Sequence, residues 1–150
     1  MSIEIRSIMV DKVVTTKKDA TVKEAVELMN KHEIGCLVVV ENEEPVGIIT
    51  ERDLLKRVLA ESKETKNMKV EEVMSTPVLY VTPNVEVEDA AKLMIQNKIK
   101  KLPVVEKGKL RGLVTLTDLL RIQPQLIRDY KVLSSDVAPR RMKKVFDYYL

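Results

Sequence analysis

Residues 47–55 read GIITERDLL and residues 112–120 read GLVTLTDLL. The shared phrase, Gly–apolar–apolar–Thr–x–x–Asp–Leu–Leu, returns after 65 residues. Whether it is a folding device or a ligand-holding device decides how the chain is understood. As a folding device it is a capping box. A Thr at a strand-to-helix junction takes the amide of the third residue on, and an acid at that residue reaches back to the Thr amide. Gly47 and Gly112 then serve close packing or a bulge. As a ligand device the same junction uses its unpaired N–H groups and positive potential to hold phosphate. The Thr hydroxyl donates to a phosphate or ribose oxygen. The Asp accepts from the vicinal 2′ and 3′ hydroxyls, and the Gly lets a flat base approach. Repetition alone does not separate the two accounts.

Outward from the phrase, residues 8–55 lie over 73–120 without a gap, with 16 of 48 positions identical. Most of the identities are apolar, as shared core positions should be; Gly, Thr and Asp are the minority. Each copy predicts a first strand (KVVTT at 12–16, PVLYV at 77–81). A helix follows, with apolar residues at i, i+3, i+4 and i+7: Val22, Ala25, Val26, Met29 and Val87, Ala90, Ala91, Met94. Thr21 and Glu24 form a capping box for the first of these, and Gly35 is its expected stop. Two strands come next, separated by the turn residues ENEEP and EKGK. A second helix opens after the Thr, with Leu54, Leu55, Val58 and Leu59 on one side.

The fold class is therefore α/β (α+β): two pseudosymmetric β-α-β-β-α repeats packed sheet to sheet. The expected divisions are 1–65 with the N-terminal segment, 66–122, and a helical tail over 123–150. The polar run ESKETKNMK at 61–69 marks the joint.

The whole chain of 150 residues is 45% hydrophobic and 33% charged, with an aliphatic core composition. Its net charge of +3 is uneven. Residues 1–120 hold 19 basic and 20 acidic side chains, against seven and three in 121–150. A near-neutral body argues against a protein built around nucleic-acid binding. The single Cys36 excludes an intramolecular disulfide and a cysteine metal cluster. Without an apolar stretch of membrane-span or signal-peptide length, the expected location is cytoplasmic, with no membrane partner. Cys36 reads as a core thiol and the lone His32 as a surface residue. The sequence holds no nucleophile–base pair, metal-ligand cluster or Gly-rich phosphate loop, so no enzyme, catalytic cofactor or metal is expected.

The copies TVKEAVELM…IGCLVVV…GIITERDLL and VEVEDAAKLM…IKKLPVVEKGKLRGLVTLTDLL resemble a tandem pair of CBS (cystathionine-β-synthase) domains, the Bateman module. The resemblance covers about residues 6–122. It implies a two-fold pseudosymmetric unit with clefts that bind adenosine-containing ligands: AMP, ADP, ATP or S-adenosylmethionine. Carried onto this chain, it puts the ribose-binding carboxylate at Asp53 and Asp118 and its hydroxyl partner at Thr50 and Thr115. It places the backbone that grips the base at Thr16, Lys17, Gly35, Cys36 and Leu37 in copy one. In copy two that backbone is Val81, Thr82, Lys100, Lys101, Leu102 and Pro103. It further implies a homodimer through helices and, with no effector domain in these 150 residues, an unidentified effector protein as the output.

The two sites are not equal in sequence. Copy two has Lys98, Lys100 and Lys101 before Pro103, where the family often keeps a basic phosphate contact; copy one has HEIGCLV there. The Asp118 site is accordingly expected to be the better phosphate binder, unless those lysines are simply a solvated face. The tail has no counterpart in copy one. Its Tyr130, Phe146, Tyr148 and Tyr149 among cations suit a helix covering the protein's own core or docking on another subunit. RNA contact by stacking is the lesser alternative.

Overall fold

A computed structural model describes residues 2–126 and 128; the aromatic tail, and the uses expected of it, lie outside the described residues. Copy one runs β1 (Thr15–Thr16), α1 (Val22–His32), β2 (Cys36–Glu41), β3 (Glu44–Thr50) and α2 (Glu51–Leu54). The last helix widens into a π-turn over Leu55–Leu59. Copy two runs α3 (Val87–Gln96), β4 (Lys101–Glu106), β5 (Lys109–Thr115) and α4 (Leu116–Ile122). β2 pairs parallel with β1 and antiparallel with β3, and β4 pairs antiparallel with β5.

The first strands are shorter than the sequence predicts. That of copy one pairs only at Thr15 and Thr16. In copy two the stretch 77–81 contributes a single parallel bridge, Val81 to Val104, and Leu79 and Tyr80 stand exposed. Pro77 has no N–H to give a ladder, which suits the start of that stretch to a loop.

Both hairpins close as expected, through two-residue turns in which both residues have positive φ. Asn42 and Glu43 lie at 52° and 66°, Lys107 and Gly108 at 54° and 80°. That geometry matches the right-handed twist of the flanking strands.

The capping box of α1 forms: Glu24 N–H donates to Thr21 Oγ1 at 3.1 Å, and Thr21 N–H to Glu24 Oε2 at 3.0 Å. Its stop is Glu33 in the left-handed region (φ 52°), not Gly35. The residue 65 positions on, Lys98, has φ 55°. A Cβ at Gly35 would meet only the ends of the Glu51 and Lys101 side chains.

Two cores form, and each borrows from the other copy. In copy one Val22, Ala25, Met29, Leu37, Val39, Ile49 and Val58 pack with Val70 and Val73, which belong to the lead-in of copy two. In copy two Val87, Ala90, Met94, Leu102, Val104, Val114 and Leu119 pack with Ile5, from the lead-in of copy one. Ile5 and Val70 are counterparts at the 65-residue offset, and both are fully buried.

Backbone bonds seat each segment. Val10 exchanges N–H···O bonds with Leu113, both at 2.9 Å. Ser75 exchanges them with Ile48, at 2.8 and 3.2 Å. The repeated glycines are where the segments cross. A Cβ at Gly47 would overlap Met74 Sδ, and one at Gly112 would lie 2.7 Å from Met9 Sδ and 2.9 Å from the Val10 carbonyl. A register shift follows in each partner strand, at Val39/Val40 and Val104/Val105. Gly47 and Gly112 thus make room for the other copy's methionine.

The hairpins of the two repeats touch: Leu110 N–H donates to the Glu43 carbonyl at 2.9 Å, and Lys109 pairs with Glu43 at 3.0 Å. The apolar side expected of the second helix splits. Leu54 and Val58 face the core, while Leu55 and Leu59 are 59% and 67% exposed. The switch to i→i+5 bonding, as in Ala60 N–H to the Leu55 carbonyl at 2.9 Å, takes those two residues off the core-facing stripe.

Candidate ligand cleft between the repeats

The register of the hairpins fixes the site. Cys36 opens β2 opposite Thr50, and Lys101 opens β4 opposite Thr115. Cys36 and Lys101 are counterparts at the offset, and the pseudo-two-fold brings them side by side. A cleft of about 230 Å³ lies here. Copy one gives it Lys12, Val13, Val14, Gly35 and Cys36; copy two gives Lys101, Leu113 and Thr115. An apolar floor with a few convergent polar groups is the usual make-up of a small-molecule site. Its contributors come from both repeats, whereas the sequence reading assigned a base-gripping stretch to each copy by itself.

Of the expected site residues, Gly35, Cys36, Lys101 and Thr115 line this cleft. Asp118 stands beside it through its N–H, which donates to Thr115 Oγ1 at 3.2 Å. Leu37 and Leu102 are fully buried in their cores, and Val81 nearly so. Pro103 is buried too, its carbonyl taken by Val81 N–H at 3.1 Å. Thr16 pairs in β1. Thr82 is exposed and donates to Asn84. Lys17 and Lys100 are exposed, and the Lys100 carbonyl accepts Leu116 N–H at 2.8 Å. Val10, Lys12, Val13 and Val14 were missed as lining residues. They reach the cleft because the segment before β1 crosses to the other copy, and no local pattern in the sequence marks that crossing.

The two Thr/Asp pairs differ. Asp53 is 7% exposed and both its oxygens are engaged. Oδ2 accepts Thr50 N–H at 3.0 Å and Thr50 Oγ1 at 3.1 Å, and Oδ1 accepts Ser75 Oγ at 2.8 Å. Asp53 N–H returns a bond to Thr50 Oγ1 at 3.3 Å, completing the capping box. Asp118 makes no such box. Its side chain is 31% exposed, and among the described residues its carboxylate meets a charge only at Arg121 Nη1, 3.9 Å away.

Charge in the cleft comes from Lys12 and Lys101. Burial pushes the Cys36 thiol above its ordinary pKa, the Lys101 ammonium beside it pulls the other way, and Glu51 adds to the rise. A thiol held neutral is a poor nucleophile. His32 is exposed, and among the described residues no group of His, Cys, Asp and Glu is placed to hold a metal. Among those residues, no helix is long and apolar enough to cross a membrane.

These features define a class: a duplicated α+β module whose halves enclose an inter-repeat cleft. The CBS domain model matches residues 5–60 and again 70–124, and the chain belongs to that family. An uncharacterized protein of Methanopyrus kandleri is 41% identical over 117 residues, 77% of this chain; the match spans 60% of that relative's length. The crystal structure of a conserved CBS domain protein of unknown function from Thermoplasma acidophilum superposes with a TM-score of 0.79 at 30% identity, covering 90% of this chain and 78% of that one. The hexameric CBS-CP12 protein of bloom-forming cyanobacteria gives a TM-score of 0.74 at 32% identity, covering 85% and 75%. Assemblies of several copies therefore occur among neighbours of this fold.

Proposed function

We propose that this chain is a non-catalytic regulatory module that senses an adenosine-containing ligand of the AMP, ADP, ATP or S-adenosylmethionine type and acts on a separate effector protein. The observation that carries this reading is the cleft itself. It joins Gly35 and Cys36 of one repeat to Lys101 and Thr115 of the other, beside an Asp118 carboxylate not spent on a capping box. In such a site the base lies on the apolar floor and the strand openings. Asp118 takes the ribose hydroxyls, and Lys101 and Lys12 face the phosphate. Because both repeats contribute, a ligand favours whichever inter-repeat arrangement it binds better, and only that differential affinity reaches the effector. The module acts in the cytoplasm as a homodimer, and the exposed Leu55, Leu59 and Ile122 supply apolar helix surface for pairing.

Calorimetric titration with AMP, ATP, S-adenosylmethionine and NADH, on wild type, Asp53→Ala and Asp118→Ala, tests the reading. The expected result is saturable binding to one of these compounds, weakened tenfold or more by Asp118→Ala. Heat unfolding of the same proteins shows the opposite ranking. Asp53→Ala loses about 2–3 kcal/mol with its cap and Ser75 bond, and Asp118→Ala about 1 kcal/mol or less.

A second reading, a structural adaptor without ligand, is favoured by one observation: both carboxylate oxygens of Asp53 are bonded within the fold. Silence of every compound on wild type, with both variants simply melting lower, selects it.

A further inference from the structure

Resting on the ligand-sensing reading, we infer that one hydroxyl, that of Ser75, decides which of the two pseudosymmetric Thr/Asp sites is open. An ionised Asp offers two oxygens and about four acceptor positions. A ribose that presents two adjacent hydroxyls needs two free acceptor positions, on both oxygens from one side or together on one oxygen. At Asp53 three positions are taken: two on Oδ2 by the amide and hydroxyl of Thr50, one on Oδ1 by Ser75 Oγ at 2.8 Å. The group is also almost wholly covered. The Thr50 N–H bond is that of a capping box and the Thr50 hydroxyl adds a second on the same oxygen; both leave Oδ1 free. The Ser75 bond is different, because Ser75 lies in the crossing segment, 22 residues from Asp53, and carries the lead-in of copy two onto copy one.

The repeat supplies its own control. The counterpart of Ser75 at the 65-residue offset is Val10, which forms the same kind of backbone bridge, to Leu113 instead of Ile48. Val10 has no hydroxyl to give, and it lines the cleft beside Thr115. Asp118 accordingly lacks the crossing bond that Asp53 has. A second clasp acts in copy one only. Arg57 Nη1 donates to the carbonyls of Val73 at 2.8 Å and Met74 at 2.9 Å, holding the crossing segment where Ser75 meets Asp53. Ile122 stands at the counterpart position in copy two and makes no such bonds. The first site is latched by the chain's own linker; the second is left for a ligand.

The test is exchange of the two residues in the full chain, with AMP and ATP as the probes and calorimetric stoichiometry as the readout. Wild type takes one equivalent per chain. Ser75→Val takes two, with Ser75→Ala as a second variant should the larger side chain disturb packing. Val10→Ser lowers the affinity of the remaining site at least tenfold. A Ser75→Val and Ser75→Ala pair that both stay at one equivalent overturns the assignment of Ser75 and leaves the sensing reading standing. Two equal equivalents in wild type overturn it as well. No binding to wild type or to any variant overturns the sensing reading itself. The latch has a readout independent of ligand: a double-mutant cycle of Asp53→Asn and Ser75→Ala on the unfolding midpoint. Non-additive shifts support a direct bond between them, and additive shifts overturn it.

Discussion

The two copies of one phrase have diverged in what surrounds them, not in the phrase. Thr50–Asp53 and Thr115–Asp118 have the same spacing and the same place between strand and helix. In copy one the carboxylate closes a capping box and ties down the linker; in copy two it does neither. A motif at this spacing therefore fixes where a carboxylate stands and leaves open what it holds. The neighbour that differs, Ser75 against Val10, comes from a segment crossing over from the other repeat.

The largest effect that bears on this comparison comes from removing the anchors of the exchange. Ile5→Ala and Val70→Ala each leave a void in a fully buried position, and Ile5→Ala costs about 2–5 kcal/mol, Val70→Ala somewhat less for its smaller side chain. The distinguishing outcome is location. Amide hydrogen exchange should show Ile5→Ala opening α3, β4 and β5 of copy two first, and Val70→Ala opening α1 and β2 of copy one. Opening of the copy adjacent in sequence would break the exchange.

A smaller effect separates the two glycines. Gly112→Ala and Gly47→Ala each cost about 1–3 kcal/mol, with Gly112→Ala the worse. At Gly47 the obstacle is the Met74 side chain, which can swing away; at Gly112 it includes the Val10 carbonyl, which is held in its bridge. Adding Met74→Ala should rescue Gly47→Ala, whereas Met9→Ala should rescue Gly112→Ala only in part, as thermal unfolding will show.

The smallest concerns Cys36, whose counterpart is Lys101. Its thiol pKa is raised in the folded chain, so the buried neutral thiol adds stability below the ordinary thiol range. That contribution is lost as pH rises through and above it. Alkylation at pH 8 should be slow next to an unfolded control, and slower still in Lys101→Ala, because the ammonium is the largest influence favouring thiolate.

Much of this was legible in the sequence. The offset of 65, the helix periodicity and the hairpin turns gave the repeat and its elements, because each depends on residues near one another. The helix stop was misplaced because Glu33 adopts a left-handed conformation more often given to Gly, while Gly35 does not. Of the expected site residues, some line the cleft and others lie in the cores. Residues opening β2 and β4 were found from the resemblance, but Leu37, Leu102 and Val81 face their cores, as the alternation along a strand requires once one face is set. What the sequence hid was the crossing of the lead-in segments. Ile5 and Val70 are ordinary apolar residues, and no local pattern says which of two similar cores will receive them.

That crossing makes the two halves hostages of each other. A single cut within residues 61–67 would not release two bodies, since each fragment keeps in its partner's interior a stretch the partner cannot supply. Cleaved in this way the chain should still run as one particle on a sizing column, and neither fragment produced alone would have a complete interior to fold around.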